Sequence, residues 1–145
     1  MEIILTPVGF VQSDYKDEDI KITGKTFSVI KLNDDIPLEA LKGIEDFSHL
    51  EIIWYFHKKN AGEKYAVFPR GNKDLGLQGI FATRSPLRPN HIATTIVKLI
   101  GISGRLITVY GLDALNDSPV LDIKPVTRNF LPAGSIRQPG WVPSK

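Results

Sequence analysis

Glycine and proline punctuate this chain so often that little room is left for long helices: 12 glycines and 10 prolines are spread over 145 residues. The pieces between them are rich in β-branched and aromatic residues and have strand lengths, which makes the expected fold mainly β. Residues 2–11, 20–22, 27–32, 50–57, 94–100, 106–110 and 120–124 read as strands. Asn33-Asp34-Asp35 reads as a turn, and the strands at 94–100 and 106–110 as a hairpin turning at Ser103-Gly104. The best helix candidate is 36–46, with Asp35 as N-cap, Pro37 in the first turn, and Leu38, Leu41 and Ile44 recurring at helical spacing. It is short enough only to plug or flank a sheet.

Period two divides the strand at 50–57 into a core face of Leu50, Ile52, Trp54 and Phe56 and an opposite face of His49, Glu51, Ile53, Tyr55 and His57. His57 at the strand end is either a histidine bonded to backbone or a chemical group. On the last strand Val120, Asp122 and Lys124 are predicted to share one face. Residues 1–145 are expected to form a single domain whose Pro- and Gly-rich tail, 126–145, wraps the surface or a second subunit.

Several functions are excluded or weakened by what the chain lacks. With no cysteine there are no disulfides, thiolate zinc sites or cysteine nucleophiles. Three histidines at 49, 57 and 91 have no helical ligand spacing, so no metal is expected. Gly71 and Gly76 have the spacing of a P-loop pair, but Leu77-Gln78 follow where Lys and a hydroxyl residue belong, and no G-x-G-x-x-G supports a Rossmann site. Apolar runs such as 52–56 fall far short of the roughly 20 residues of a bilayer helix, and Glu2 stands where a signal segment would be basic. A cytoplasmic protein without membrane partners is the expectation. The net charge of +2 is small, but Lys58, Lys59, Lys64, Arg70 and Lys73 cluster against Glu63 and Asp74, and 124–145 carries four cations and no acid. Such clusters are solvated surface or, gathered on one face, a phosphate footprint.

Residues 79–90 are the densest concentration of chemistry. Behind a short apolar run come Arg84, Arg88, Pro86, Pro89, Asn90 and two hydroxyls. The prolines fix φ and bias Ser85 and Arg88 toward extended backbone, so two guanidinium groups project from a preorganised loop, Arg84 from an expected strand end that fixes its direction and Arg88 from out in the loop. The loop is either a clamp for an anion or flat polar ligand, or a Pro-rich turn with two solvated arginines. Asp113 and Asp122 are separated carboxylates that suit acid–base work or turn capping.

Phe81-Ala82-Thr83-Arg84-Ser85-Pro86-Leu87-Arg88-Pro89-Asn90 and Gly111-Leu112-Asp113-Ala114-Leu115-Asn116-Asp117-Ser118-Pro119-Val120-Leu121-Asp122-Ile123-Lys124-Pro125 strongly resemble the two signature blocks of the TsaA-like family, also called TrmO or YaeB-like. Two weaker blocks agree: Pro7-Val8-Gly9-Phe10-Val11-Gln12-Ser13, and Phe47-Ser48-His49-Leu50 leading to Phe56-His57. The resemblance implies a small β-barrel with one or two short helices, working as a homodimer. It implies an S-adenosylmethionine-dependent methyltransferase outside the Rossmann class, acting on the N6 nitrogen of threonylcarbamoyladenosine beside the tRNA anticodon. Carried over by position, the donor site comprises Ser13, Asp14, Tyr15, His57, Lys58, Arg84, Asn116, Asp117, Ser118 and Pro119. His57, Asp113 and Asp122 are the candidate bases, with Tyr15 or Tyr55 facing the sulfonium or the adenine. Arg88, Asn90 and Lys124 are the candidate substrate contacts.

The chain departs from the family pattern at several points. His91 and Ala93 replace Pro and Gly, Asp14 replaces a common Pro, Asn116-Asp117-Ser118 replaces Asp-Gly-Thr, and Val126 replaces Tyr. The longer members carry a C-terminal extension beyond the matched length. Asp117 takes the place of a glycine that allows positive φ at no steric cost. Two other readings therefore stand beside the tRNA methyltransferase: a barrel that binds S-adenosylmethionine or RNA without turnover, and a methyltransferase acting on another substrate.

Overall fold

The computed structural model describes residues 1–16, 23–58 and 62–144, so the strand expected at 20–22 lies outside the described residues. Eight strands are present among them: β1 (Gly9–Gln12), β2 (Phe27–Leu32), β3 (His49–Tyr55), β4 (Ala66–Val67), β5 (Gln78–Gly79), β6 (Ile92–Ser103), β7 (Leu106–Tyr110) and β8 (Pro119–Pro125). Six of them close into an antiparallel barrel in the order β1-β2-β7-β6-β3-β8, while β4 and β5 pair apart from it. The mainly β, barrel-forming expectation is borne out.

Alternation builds the interior as the sequence pattern requires. Val11 on β1, Ile30 and Leu32 on β2, Leu50, Ile52 and Trp54 on β3, Val97 on β6, Ile107 and Val109 on β7 and Val120 on β8 form one buried cluster. The core face predicted for the strand at 50–57 is thus the interior face. Its partner face is not equally buried, since His49 and Tyr55 are exposed. At Gly9, β1 and β2 pack so closely that a Cβ would sit 2.5 Å from the Lys31 carbonyl oxygen.

Three local expectations fail for physical reasons. Strand pairing begins at Gly9, not at residue 2; Val8 still donates to Val120 O at 2.8 Å, but Pro7 has no N–H to extend the ladder, and residues 1–6 are exposed. The predicted helix over 36–46 is replaced by two one-turn 3₁₀ segments, Leu38–Leu41 and Ile44–Asp46, separated by Gly43 at φ 86°. The Arg105 guanidinium takes the Asn33 and Ile36 carbonyls, the latter the acceptor an α-helical Ala40 N–H would need, and Ala40 bonds Pro37 instead. Asp35 caps nothing; Pro37 occupies the N-cap. On β8 the register slips between the partners of Ile53 and Trp54, so Val120 faces Trp54 while Asp122 faces Ile53 and Ile123 faces Ile52. This bulge parts Val120, inside, from Asp122 and Lys124, outside, against the single face predicted for the three.

The strand directions sort the loops between two barrel ends. One end is covered by the 3₁₀ segments and by Arg105. The other is formed where β1, β3 and β7 end and β2, β6 and β8 begin, and it gathers residues 13–16, 56–58, 80–91 and 111–118. Among the described residues no helix is long and apolar enough to cross a membrane.

Candidate functional site

Every candidate site residue carried over from the resemblance, Lys124 and Asp122 apart, lies at or beside that second end, where two groups of side chains form. The first joins the chain after β1 to the chain before β8. Ser13 N–H donates to Asn116 Oδ1 at 3.0 Å, Asn116 N–H to Tyr15 O at 2.7 Å, and Asp117 N–H to Val11 O at 2.8 Å. Tyr15 N–H is capped by Ser13 Oγ at 3.0 Å. Lys58 reaches across from β3 and donates to Lys16 O at 3.1 Å. Ser13, Asp14 and Asn116 line a surface cleft of about 420 Å³ here. Asp117 stands at φ 67°, the left-handed geometry that a glycine takes freely and that aspartate tolerates better than most residues.

The second group surrounds a cavity of about 530 Å³ beneath the clamp loop. Trp54, at the inner end of β3, donates from Nε1 to Thr95 Oγ1 at 3.0 Å, and Thr95 donates to Asp113 Oδ1 at 2.6 Å. Arg84 Nη2 donates to both Thr94 O (2.9 Å) and Thr94 Oγ1 (3.1 Å). Arg88 donates from Nη1 to Thr83 O at 3.0 Å. Both arginines, Asp113, Trp54 and Phe56 line the same space. A planar aromatic wall with two guanidinium forks and one carboxylate can hold a flat heterocycle, an anionic group and a proton acceptor together.

The clamp loop holds itself in shape. His91 Nδ1 donates to Pro86 O at 2.9 Å, Thr83 Oγ1 to Ile80 O at 2.8 Å, and Leu87 N–H to Ser85 Oγ at 3.3 Å. Asn90 and His91 stand at φ 64° and 50°, so the exit into β6 is strained and fixed by its bonds. The arginines are tied to backbone rather than freely solvated, which favours the clamp over the plain turn. Arg84, however, lies in the loop beyond the 3₁₀ segment Ile80–Ala82 and not at a strand end. Its direction comes from Thr94.

The two groups are neighbours, not one cavity. Tyr15 Oη bonds Thr23 Oγ1 at 3.1 Å, and a Cβ on the adjacent Gly24 would lie 3.9 Å from Asp113 Cβ, so the 23–24 turn bridges them. His57 follows the end of β3 and is half-buried. Pro119 begins β8 and Ser118 is buried. Asp122 and Lys124 stand apart on the outer wall, 2.7 Å from each other, and neither lines the cavity. The hydrogen bond and charge of Asp122 hold the Lys124 ammonium above its ordinary pKa. Tyr15 is buried with its hydroxyl engaged and Tyr55 packs edge-on against His91 on the outside, so the cavity's aromatic wall is Trp54, Phe56 and Phe81 instead. Trp54, Thr94 and Thr95 were missed by the sequence reading as site residues; the signal was present in the indole N–H, which needs an acceptor when buried, and in the consecutive hydroxyls of Thr94 and Thr95 on the neighbouring strand. Among the described residues no group of His, Cys, Asp and Glu is placed to hold a metal.

Comparison with known proteins agrees with this arrangement. Residues 11–130 match the family model for the tRNA-methyltransferase O N-terminal domain. A probable S-adenosyl-L-methionine-binding protein of Methanothermobacter thermautotrophicus is 38% identical over 128 residues, 86% of this chain and 90% of that one. The tRNA (adenine(37)-N6)-methyltransferase of Rattus norvegicus is 30% identical over 136 residues, covering 88% of this chain but 32% of the rat protein. The crystal structure of TrmO from Pseudomonas aeruginosa superposes with a TM-score of 0.78 at 26% identity, over 96% of this chain and 61% of that one. With more than half of its length matched by the family model and its barrel shared with a solved member, the chain belongs to the family of the tRNA-methyltransferase O N-terminal domain.

Proposed function

We propose that this protein binds S-adenosylmethionine at the open barrel end and transfers its methyl group to the N6 nitrogen of threonylcarbamoyladenosine in tRNA. The observation that carries the reading is the convergence, at one barrel end, of the family-matched loops with a cavity holding Arg84, Arg88, Asp113 and an aromatic wall. Relatives described as S-adenosyl-L-methionine-binding proteins and as tRNA adenine methyltransferases support it.

A sulfonium donor already carries its leaving group, so the protein's task is alignment and exclusion of water, and good alignment supplies roughly 7–11 kcal/mol. Ser13, Asp14, Asn116, Asp117 and Lys58 are the groups we assign to the donor's polar parts, with Trp54 and Phe56 available to the sulfonium through their π-faces. As the acceptor nitrogen attacks, the N–C bond forms, the S–C bond breaks, and the N6 proton passes to the Asp113 carboxylate, held toward the cavity by Thr95. Arg84 and Arg88 suit the carboxylate of the modification or of the donor. Incubation with methyl-labelled donor and tRNA should place label only in tRNA that carries the threonylcarbamoyl group. Label in both tRNAs, or in neither while donor binds, rejects this acceptor.

We also infer a homodimer. The outer sheet leaves Tyr55, Ile92, Ile96 and Ile100 exposed, with Ile3, Ile4 and Leu5 of the amino-terminal segment exposed as well, an apolar surface of the kind that interfaces cover. Light scattering at working concentration should give twice the chain mass of 16.1 kDa; a strict monomer contradicts it.

A further inference from the structure

The clamp loop has a second side. Ala82, Thr83 and Arg84, which line the 530 Å³ cavity, also line a larger one of about 810 Å³ between the β4–β5 hairpin and the tail. Only the thickness of this loop separates the two. The larger cavity has aromatic walls in Phe68 and Trp141 and cationic groups in Lys64, Arg70 and Arg84, and among the described residues no Asp or Glu lines it. The tail is fixed there: Arg70 Nη2 donates to Trp141 O at 2.9 Å, and Gln138 Nε2 to Val142 O at 3.2 Å. Arg70 stands at φ 54°, a left-handed geometry that costs a non-glycine residue energy.

We propose that this cavity receives a nucleotide of the acceptor RNA next to the methylated one, its base stacked on Trp141 and Phe68 and its phosphate met by Lys64 and Arg70. The assignment rests on the tRNA reading above. Three cations without an acid select an anion, and two aromatic faces select a planar base; a nucleotide has both. The donor is a poor match, because its sulfonium and ammonium outweigh its single carboxylate and it would meet like charge. A strand crossing the clamp over Arg84 would set one base in each cavity, which gives the loop's two-sided exposure a use.

The test uses the full chain and tRNA carrying the threonylcarbamoyl modification. Trp141→Ala should lower tRNA affinity about tenfold, as loss of one stacked base does, with Trp141→Phe retaining most of it. Arg70→Gln should reduce the slope of log affinity against log salt by about one. Donor affinity, read by calorimetry, should stay within about twofold for all three. Ultraviolet crosslinking of the parent to tRNA should map to peptides containing Phe68 or Trp141, a result that needs no turnover and no folded variant. Crosslinks confined to other surfaces overturn the proposal, as does unchanged tRNA affinity in a folded Trp141→Ala. Loss of donor affinity instead gives the cavity to the donor, and loss of dimer with tRNA affinity intact gives it to a second copy; either result overturns it. If tRNA binds and crosslinks here but takes no methyl, the function reading fails and this one stands; methylation with Trp141 indifferent is the reverse.

Discussion

Asp113→Asn is expected to lower turnover about a hundredfold while donor affinity stays close to that of the parent. The substituted amide keeps the shape of the side chain and an oxygen able to accept from Thr95, so the chain of bonds from Trp54 through Thr95, at 3.0 and 2.6 Å in the parent, survives. What is lost is the basic oxygen. General-base catalysis contributes about 10²–10⁴-fold, and the lower figure applies because Asp113 is exposed and water competes to take the proton. Single-turnover kinetics with saturating donor, beside calorimetry, separates the two quantities. An unchanged rate would show that water or the donor takes the proton, and an equal loss of rate and donor affinity would make Asp113 a donor ligand. Asp122→Asn, on the outer wall beside Lys124, should change neither.

Arg84→Lys is expected to weaken donor binding by roughly 1.5–3 kcal/mol, the scale of a hydrogen bond to a charged group. The guanidinium is oriented by two contacts from one nitrogen, to the carbonyl and the hydroxyl of Thr94. Lysine keeps the charge but has no planar fork, so it cannot hold Thr94 and present further donors in the same plane. Arg88 is bound once, to Thr83 O, and Arg88→Lys should cost less. Titration calorimetry on both variants decides the order. Should Arg88→Lys be the weaker binder, the two roles are reversed; should neither change, the clamp serves the acceptor or the fold.

Where a single period controlled the outcome, the chain was readable. β2, β7 and the interior face of β3 follow from alternation of apolar residues, because in a barrel one face of each strand is always interior. The loops of the site were readable only as ordered blocks of sequence; their meeting at one end is a consequence of strand order β1-β2-β7-β6-β3-β8, which no local pattern encodes. The late start of β1 is local, since Pro7 has no N–H to pair; the other failures share a cause, a distant partner that overrode local preference. Arg105 took the carbonyl a helix at 36–46 required. The bulge opposite Ile53 and Trp54 moved Asp122 and Lys124 out of Val120's face. Thr94, ten residues on, and not a strand, aims Arg84. The left-handed geometry at Asp117, by contrast, was legible in advance from the glycine it replaces.

Location of the donor site is the point on which the account depends, and amide chemical shifts during titration with S-adenosylmethionine test it directly. Saturable shifts should concentrate at residues 13–16, 56–58, 83–95 and 111–118, and signals around Asn33, Ile36 and Arg105 at the opposite barrel end should stay still. Shifts confined to that opposite end, or no saturable shift at millimolar donor, would contradict it.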